Sequence, residues 1–333
     1  KFVVRRLSQF SEPAHFSYRA PVISEVTPRR FRTDGLTELV VLGTDFGLAE
    51  PRVRIVEVGE VFAVKSASVV GKLCSPVVAH SHTSVRCLAP AGRGGTASYT
   101  AYVVTGFGER ALASDSSSSE SPLEYAGPTI LRLELPSERP TVGGFPVTIV
   151  GENYGGNVSM GDGDSVLDLT SGASLTVGGV PCTPIIQRTH TVLTCVATES
   201  SGGEGIPVVV DISGRRSDGD FSTVSAVTAR LSFSPPFVSD ITGWSVDFMM
   251  PTEGGVNVTL NGFNLGMTSA LTVRSVRIGE TTLISREEHG VWSANHTAIV
   301  FRAPEGEGVG LDVAVTVSGQ TSNVPSWRLS YGA

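Results

Sequence analysis

Apolar residues recur at every second position in short bursts along this chain, and glycine ends each burst. "TELVVLGTDFG" near residue 40, "FPVTIVGENYG" near residue 148 and "VNVTLNGFNLG" near residue 260 are one pattern written three times. Leu39 and Val41, Val147 and Ile149, and Val258 and Leu260 hold equivalent places, with the period of a half-buried strand. No long run carries apolar residues at spacings of three and four, so helices are not expected. Many short strands between Gly, Pro, Asn and Ser turns predict antiparallel sandwiches. In the turns, Gly43, Gly151 and Gly262 are expected to supply backbone angles that a side chain resists, while Asp45, Asn153 and Asn264 close the turn on their own backbone.

Other marks share this period. "HTSVRCLAP", "HTVLTCVAT" and "HTAIVFRAP" begin at His82, His190 and His296, which are 108 and 106 positions apart. A fixed period means a repeated unit. Each unit opens on a proline followed two positions later by a branched apolar residue (Pro21, Pro128, Pro236) and closes on Tyr125, Phe233 or Tyr331. The expected units are residues 21–127, 128–235 and 236–333. Residues 1–20 read as the closing hairpin of an upstream unit, because Tyr18 precedes Pro21 as Tyr125 precedes Pro128. The chain is therefore expected to be a section of a longer array, with the hairpin pairing with an upstream module or a neighbouring copy. The connections "YRAP", "YAGP" and "FSPP" are short and contain proline, which predicts restricted bending and an elongated array.

Composition narrows the class. Charged residues make up only 17%, Gly and Pro together are 57 of 333, and no stretch approaches the roughly 18 apolar residues of a membrane span, so no direct membrane insertion is expected in this segment. A net charge of −7 and a pI near 5.4 argue against a surface built to neutralise phosphates, so nucleic acid is not an expected partner. "KFVVRRLSQF" lacks the regions of a signal peptide, which predicts a start that is processed or cut from something longer.

The cysteines pose a choice. Cys74, His80, His82 and Cys87 could form a zinc site. The second unit keeps only His190 between Cys182 and Cys195, and the third places Leu283 and Phe301 where the pair would stand. Apolar residues can fill the space of a buried disulfide but cannot replace two metal ligands. Two disulfides, Cys74–Cys87 and Cys182–Cys195, are expected instead, each contributing on the order of 3 kcal/mol. They imply an oxidising compartment and an extracellular or cell-surface address. Asn157, Asn257 and Asn295 begin N-x-S/T sequons, so covalent glycans are expected. The serine-rich run 114–122 reads as a solvated loop, with O-linked sugar as the alternative.

The order P-x-I, GG-x-x-V-T-I-x-G-x-N-Y-G, V-G-G-x-x-C, H-T-x-L-x-C and a closing aromatic resembles the IPT/TIG module of plexins and fibrocystin-like surface proteins. The second unit, with "VGGFPVTIVGENYG", "VGGVPC" and "HTVLTC", carries it best. The first unit departs by about ten extra residues before Cys74, and the third lacks the cysteines. The resemblance implies an immunoglobulin-like β-sandwich and a structural or binding role without an active site.

Catalytic signatures are missing from the sequence: it contains no G-x-S-x-G, H-E-x-x-H or P-loop, and the recurring His-Thr reads as a strand start. Asp162 and Asp164 in "GDGD" read as a solvated turn ahead of a calcium site, so neither metal nor cofactor is expected. Trp244, Trp292 and Trp327 lie together in the third unit and leave carbohydrate binding open as an alternative. The expectation is an all-β, non-enzymatic, glycosylated array of repeats acting as a cell-surface stalk, adhesive ectodomain or fibre. Its expected partners are neighbouring repeats or copies of itself; the alternative is a receptor segment for a protein or carbohydrate ligand.

Overall fold

A computed structural model describes residues 5–6, 9–10, 19–58, 71–105, 110–112, 122–155, 172–218, 229–243, 249–267, 274–284 and 291–332. All regular structure among them is β. The chain divides into two compact units, Lys1–Ala126 and Gly127–Ala333, so the second and third repeats share one body. Near the start, Arg5–Arg6 pairs antiparallel with Gln9–Phe10.

Each repeat is a sandwich of two sheets. In the first sheet of repeat 2, Thr129–Glu134, Pro146–Glu152, Val192–Val196 and Ile185–Arg188 lie side by side in that order. Repeats 1 and 3 build the same sheet from Val22–Thr27, Glu38–Thr44, Ser84–Leu88 and Val77–His80, and from Phe237–Thr242, Asn257–Phe263, Ala298–Arg302 and Val291–Ala294. The second sheets centre on Ser98–Val104, Ile206–Ile212 and Val313–Val317. Alternation along the strands turns Val147 and Ile149 inward against Val208, Val210 and Ile212, and the other repeats pack the same way.

The disulfides tie one sheet to the other. Cys87 on Ser84–Leu88 bonds Cys74 on Lys72–Cys74, and Cys195 bonds Cys182 just beyond Val180–Pro181. In repeat 3, Leu283 and Phe301 are buried in the core at those places.

The glycine turns work differently from the expectation. Gly43, Gly151 and Gly262 do not have positive φ. A Cβ on any of them would stand 1.9 Å from the carbonyl oxygen of Val22, Thr129 or Phe237, because the opening strand bulges there and brings its backbone close. Close approach, not backbone angle, requires glycine. The left-handed positions are Asp45, Asn153 and Asn264, at φ 62°, 63° and 59°, where Asx side chains tolerate the strain.

Closing aromatics seal the downstream end of each core. Tyr125 donates its hydroxyl to the Pro90 carbonyl at 3.0 Å and Tyr331 to Pro304 at 3.1 Å. A Cβ at Gly92 or Gly306 would collide with these rings. Phe233 lacks the hydroxyl, and Ser200 takes the glycine's place in repeat 2. Burial raises the Tyr331 hydroxyl above the ordinary tyrosine range and lifts Tyr125 and Tyr154 further.

Candidate functional site: the joint between the second and third repeats

The His-Thr turn has one design with three side chains. Ser81 Oγ accepts from the N–H groups of Thr83 and Ser84, Thr189 Oγ1 from those of Thr191 and Val192, and Asn295 Oδ1 from those of Thr297 and Ala298. Each cap fixes the histidine that follows it at the upstream end of its sandwich. In repeat 3, His296 faces repeat 2. Its Nδ1 lies 2.8 Å from Thr141 Oγ1, and its Nε2 is 3.4 Å from Glu199 Oε2.

Around this histidine the upstream loops of repeat 3 and the downstream loops of repeat 2 interlock. Thr141 donates its backbone N–H to Asn264 Oδ1 at 3.1 Å, so the left-handed Asx residue is the acceptor for the neighbour. Ser318 Oγ donates to the Ser201 carbonyl at 2.9 Å. Gln320 spans the joint: Oε1 accepts from Gly203 N–H at 3.1 Å, and Nε2 donates to the Phe233 carbonyl at 3.0 Å. Thr141 and Gln320 are 1% and 7% exposed, so these bonds form away from water, where losing one partner is costly.

The connecting segment is held from both sides. Arg139 donates Nε to the Ser232 carbonyl at 2.6 Å, and its backbone N–H bonds Ser234 Oγ at 2.9 Å. From repeat 3, Asn264 Nδ2 donates to the Pro235 carbonyl at 3.1 Å. Asn153 makes the same bond to Gly127 at 3.1 Å. In both cases the Asx residue that opens the repeat's turn holds a carbonyl of the segment leading into that repeat.

The Asx turns of repeats 2 and 3 rest on buried guanidinium groups, and that of repeat 3 lies at the joint. Arg188 Nε donates to the Tyr154 carbonyl at 2.8 Å, and Arg274 Nε to the Leu265 carbonyl at 2.7 Å. Tyr154 and Leu265 immediately follow Asn153 and Asn264, so arginines from different strands brace the same place. Desolvation holds Arg274 below the ordinary arginine range.

The other singled-out residues fall elsewhere. Cys74 and Cys87 are bonded to each other, so they are not free to form the zinc set with His80 and His82. Asn257 and Asn295 are exposed, Asn257 on a strand and Asn295 at the rim of the joint. Trp327 is half-buried against the core and donates Nε1 to the Ser239 carbonyl at 3.3 Å, so it covers a sheet edge. Trp292 lies on a strand whose position is described while its side chain is not. Asn157, Asp162, Asp164, Trp244, the run 114–121 and most of residues 1–18 lie outside the described residues.

Sequence reasoning missed Thr141, Glu199, Ser318 and Gln320, and it missed an exposed aromatic pair. Phe237 and Phe263 face each other across adjacent strands, 46% and 61% exposed, with ring centroids 6.5 Å apart and planes inclined by 27°. Repeats 1 and 2 carry Val22 with Thr44 and Thr129 with Glu152 at these places, so the fold does not demand aromatics.

The IPT/TIG domain family matches the chain at residues 21–125, 128–228 and 237–330. The chain belongs to that family. Among curated proteins none matches significantly. Solved structures similar to it include the full extracellular region of plexin A4, at 16% identity over 92% of this chain with a TM-score of 0.26. A surface glycan-binding protein of Prevotella bryantii is 15% identical over 61% of this chain and 42% of its own, at 0.35. The I9–I11 tandem of titin is 11% identical over 95% of this chain and 98% of its own, at 0.25. The chain spans 24% of the length of that plexin chain. The family assignment rests on the family match, and likenesses at these scores carry no argument about function.

Proposed function

We propose that this chain is a non-enzymatic spacer of the cell exterior, a stalk or fibre segment whose repeats are joined end to end and coated with glycans. The observation that carries this reading is the joint itself. Buried side chains and main-chain groups are committed to holding repeat 3 against repeat 2, with Gln320 and Thr141 at its centre. A module that only displayed a ligand site would gain nothing from fixing its neighbour, whereas a spacer transmits reach only when its joints resist bending. The inter-sheet disulfides support an oxidising, extracellular address. The exposed sequons at Asn257 and Asn295 support glycan attachment.

Negative-stain microscopy of natively purified protein, paired with intact mass before and after glycan removal, tests the reading. Straight rods or fibres with a mass loss at the sequons are expected. Particles that bend freely between the second and third repeats, or an unglycosylated secreted chain, would overturn it.

A second reading, a carbohydrate-binding ectodomain, is favoured by the Phe237 and Phe263 pair, since adjacent exposed rings can stack on the apolar face of a sugar. Titration with oligosaccharides against Phe263→Ala decides it: saccharide binding that this substitution abolishes supports a glycan-binding role.

A further inference from the structure

Two features share one strand face in repeat 3, and repeats 1 and 2 have neither. Along Asn257–Phe263 every second side chain points away from the core, so Asn257, Thr259, Asn261 and Phe263 line the outer face of the sheet while Val258 and Leu260 are buried. The strand begins on Asn257, the exposed first residue of an N-V-T sequon, and ends on Phe263, which stacks with Phe237 on the adjacent strand. At the place of Asn257, repeats 1 and 2 have Glu38 and Pro146. At the places of the two rings they have Val22 with Thr44 and Thr129 with Glu152. Building the sandwich therefore requires neither the attachment point nor the aromatic pair.

We propose that an N-linked glycan on Asn257 lies back along this face and seats one of its sugars on the Phe237–Phe263 pair. The inference rests on the glycan-coated spacer reading and deepens it by naming what occupies the rings. The covalent bond is that of any sequon: Nδ2 of Asn257 replaces the pyrophosphate leaving group at the anomeric carbon of a lipid-linked oligosaccharide donor and loses a proton. The new step is what the attached chain does next.

Asn257 and Phe263 are six positions apart, about 20 Å along an extended strand, a distance that the first few sugars of such a chain span. The way between them is low. Arg302, opposite Asn257, donates Nε to the Gly255 carbonyl at 3.1 Å, which draws its side chain toward the residues before Asn257 and away from the rings. Thr259 and Asn261 face only Val300 and Ala298, and Asn261 is pulled toward the neighbouring strand by donating Nδ2 to Thr242 Oγ1 at 3.1 Å. At the far end the rings offer apolar faces to the C–H face of a sugar, and the exposed Asp240, opposite Asn261, offers an acceptor to its hydroxyls. Two rings on an open sheet make a small surface for a free saccharide. A sugar already tethered to the same strand needs little intrinsic affinity, because the tether holds it near the rings at high effective concentration.

NMR of the 333-residue chain, secreted from a glycosylating host with isotope-labelled sugars, tests this. The parent is expected to show sugar protons shifted upfield by the aromatic rings, with contacts to ring protons. Those signals are expected to vanish in Asn257→Gln, which removes the glycan, and to return to solvent positions in Phe263→Ala, which keeps it. Both positions are exposed, so the variants are expected to fold, and Phe263→Leu, which keeps an apolar side chain without a ring, is expected to behave as Phe263→Ala does. Released oligosaccharide is expected to bind Asn257→Gln at least about ten-fold more tightly than it binds the glycosylated parent, whose rings are occupied. A bare Asn257, or sugar signals that Phe263→Ala leaves unchanged, overturns the proposal. Equal binding of free oligosaccharide by parent and Asn257→Gln also overturns it, and supports a site for an external saccharide instead. None of these results touches the spacer reading, which fails only if the joint between repeats 2 and 3 bends or the secreted chain is bare at every sequon.

Discussion

Gly151 shows how one residue type can be required for a reason its sequence context does not reveal. A side chain there would meet the Thr129 carbonyl at 1.9 Å and the Tyr154 hydroxyl at 2.1 Å. Gly151→Ala is therefore expected to destabilise by about 3 kcal/mol or more, through displaced backbone rather than lost entropy. Chemical denaturation monitored by tyrosine fluorescence checks it, and a cost under about 1 kcal/mol would show that the bulge relaxes freely. Tyr125 and Tyr154 carry a second prediction, in pH. Burial favours the neutral phenol, so each folded-state pKa lies above that of the unfolded chain, near about 10. The stability they contribute is present below about pH 10 and is lost as pH rises beyond it. Tyr154→Phe is expected to flatten that alkaline decline while giving up the bond to the Thr129 carbonyl, worth about 1 kcal/mol at neutral pH.

At the scale of elements, the His-Thr turn separates a structural need from a modification signal. Ser81, Thr189 and Asn295 cap the same turn, so Asn295→Ser is expected to remove any glycan there without loss of stability, while Asn295→Ala costs about 1 kcal/mol. Intact mass and thermal unfolding of the two variants distinguish these outcomes. The joint has its own measurement. A double-mutant cycle between Thr141→Val and His296→Ala is expected to give a coupling of about 0.5 to 3 kcal/mol, because the two side chains touch across the boundary. Additive effects would mean that the contact carries no energy.

Across the whole molecule the three repeats are not equivalent. Two are tied between sheets by disulfides, while the third fills the same space with Leu283 and Phe301 and shares a body with the second. Reducing both disulfides is expected to cost repeats 1 and 2 on the order of 3 kcal/mol each. Repeat 3 is expected to lose only what it draws from its contact with repeat 2. Hydrogen exchange resolved by repeat, with and without reductant, measures this, and equal loss in all three repeats would count against it.

The repeat period, the β class and the placement of the core were legible in the chain because strand alternation and glycine punctuation are local signals. Burial follows from them once strands pair, which is why Val147, Ile149 and Phe301 could be assigned inward places from pattern alone. The threefold recurrence of an Asx residue and a histidine was equally visible, but its purpose was not. Asn264, His296, Ser318 and Gln320 come together only after loops far apart in sequence fold to one end of a sandwich, and their partners Thr141, Glu199, Ser201 and Gly203 belong to the repeat before. Hydrogen bonding across such a boundary depends on where two folded bodies meet, a property with no period along the chain. Thus the sequence by itself determined what each repeat is, through local alternation and turn chemistry, and only the tertiary structure decided how one repeat grips the next.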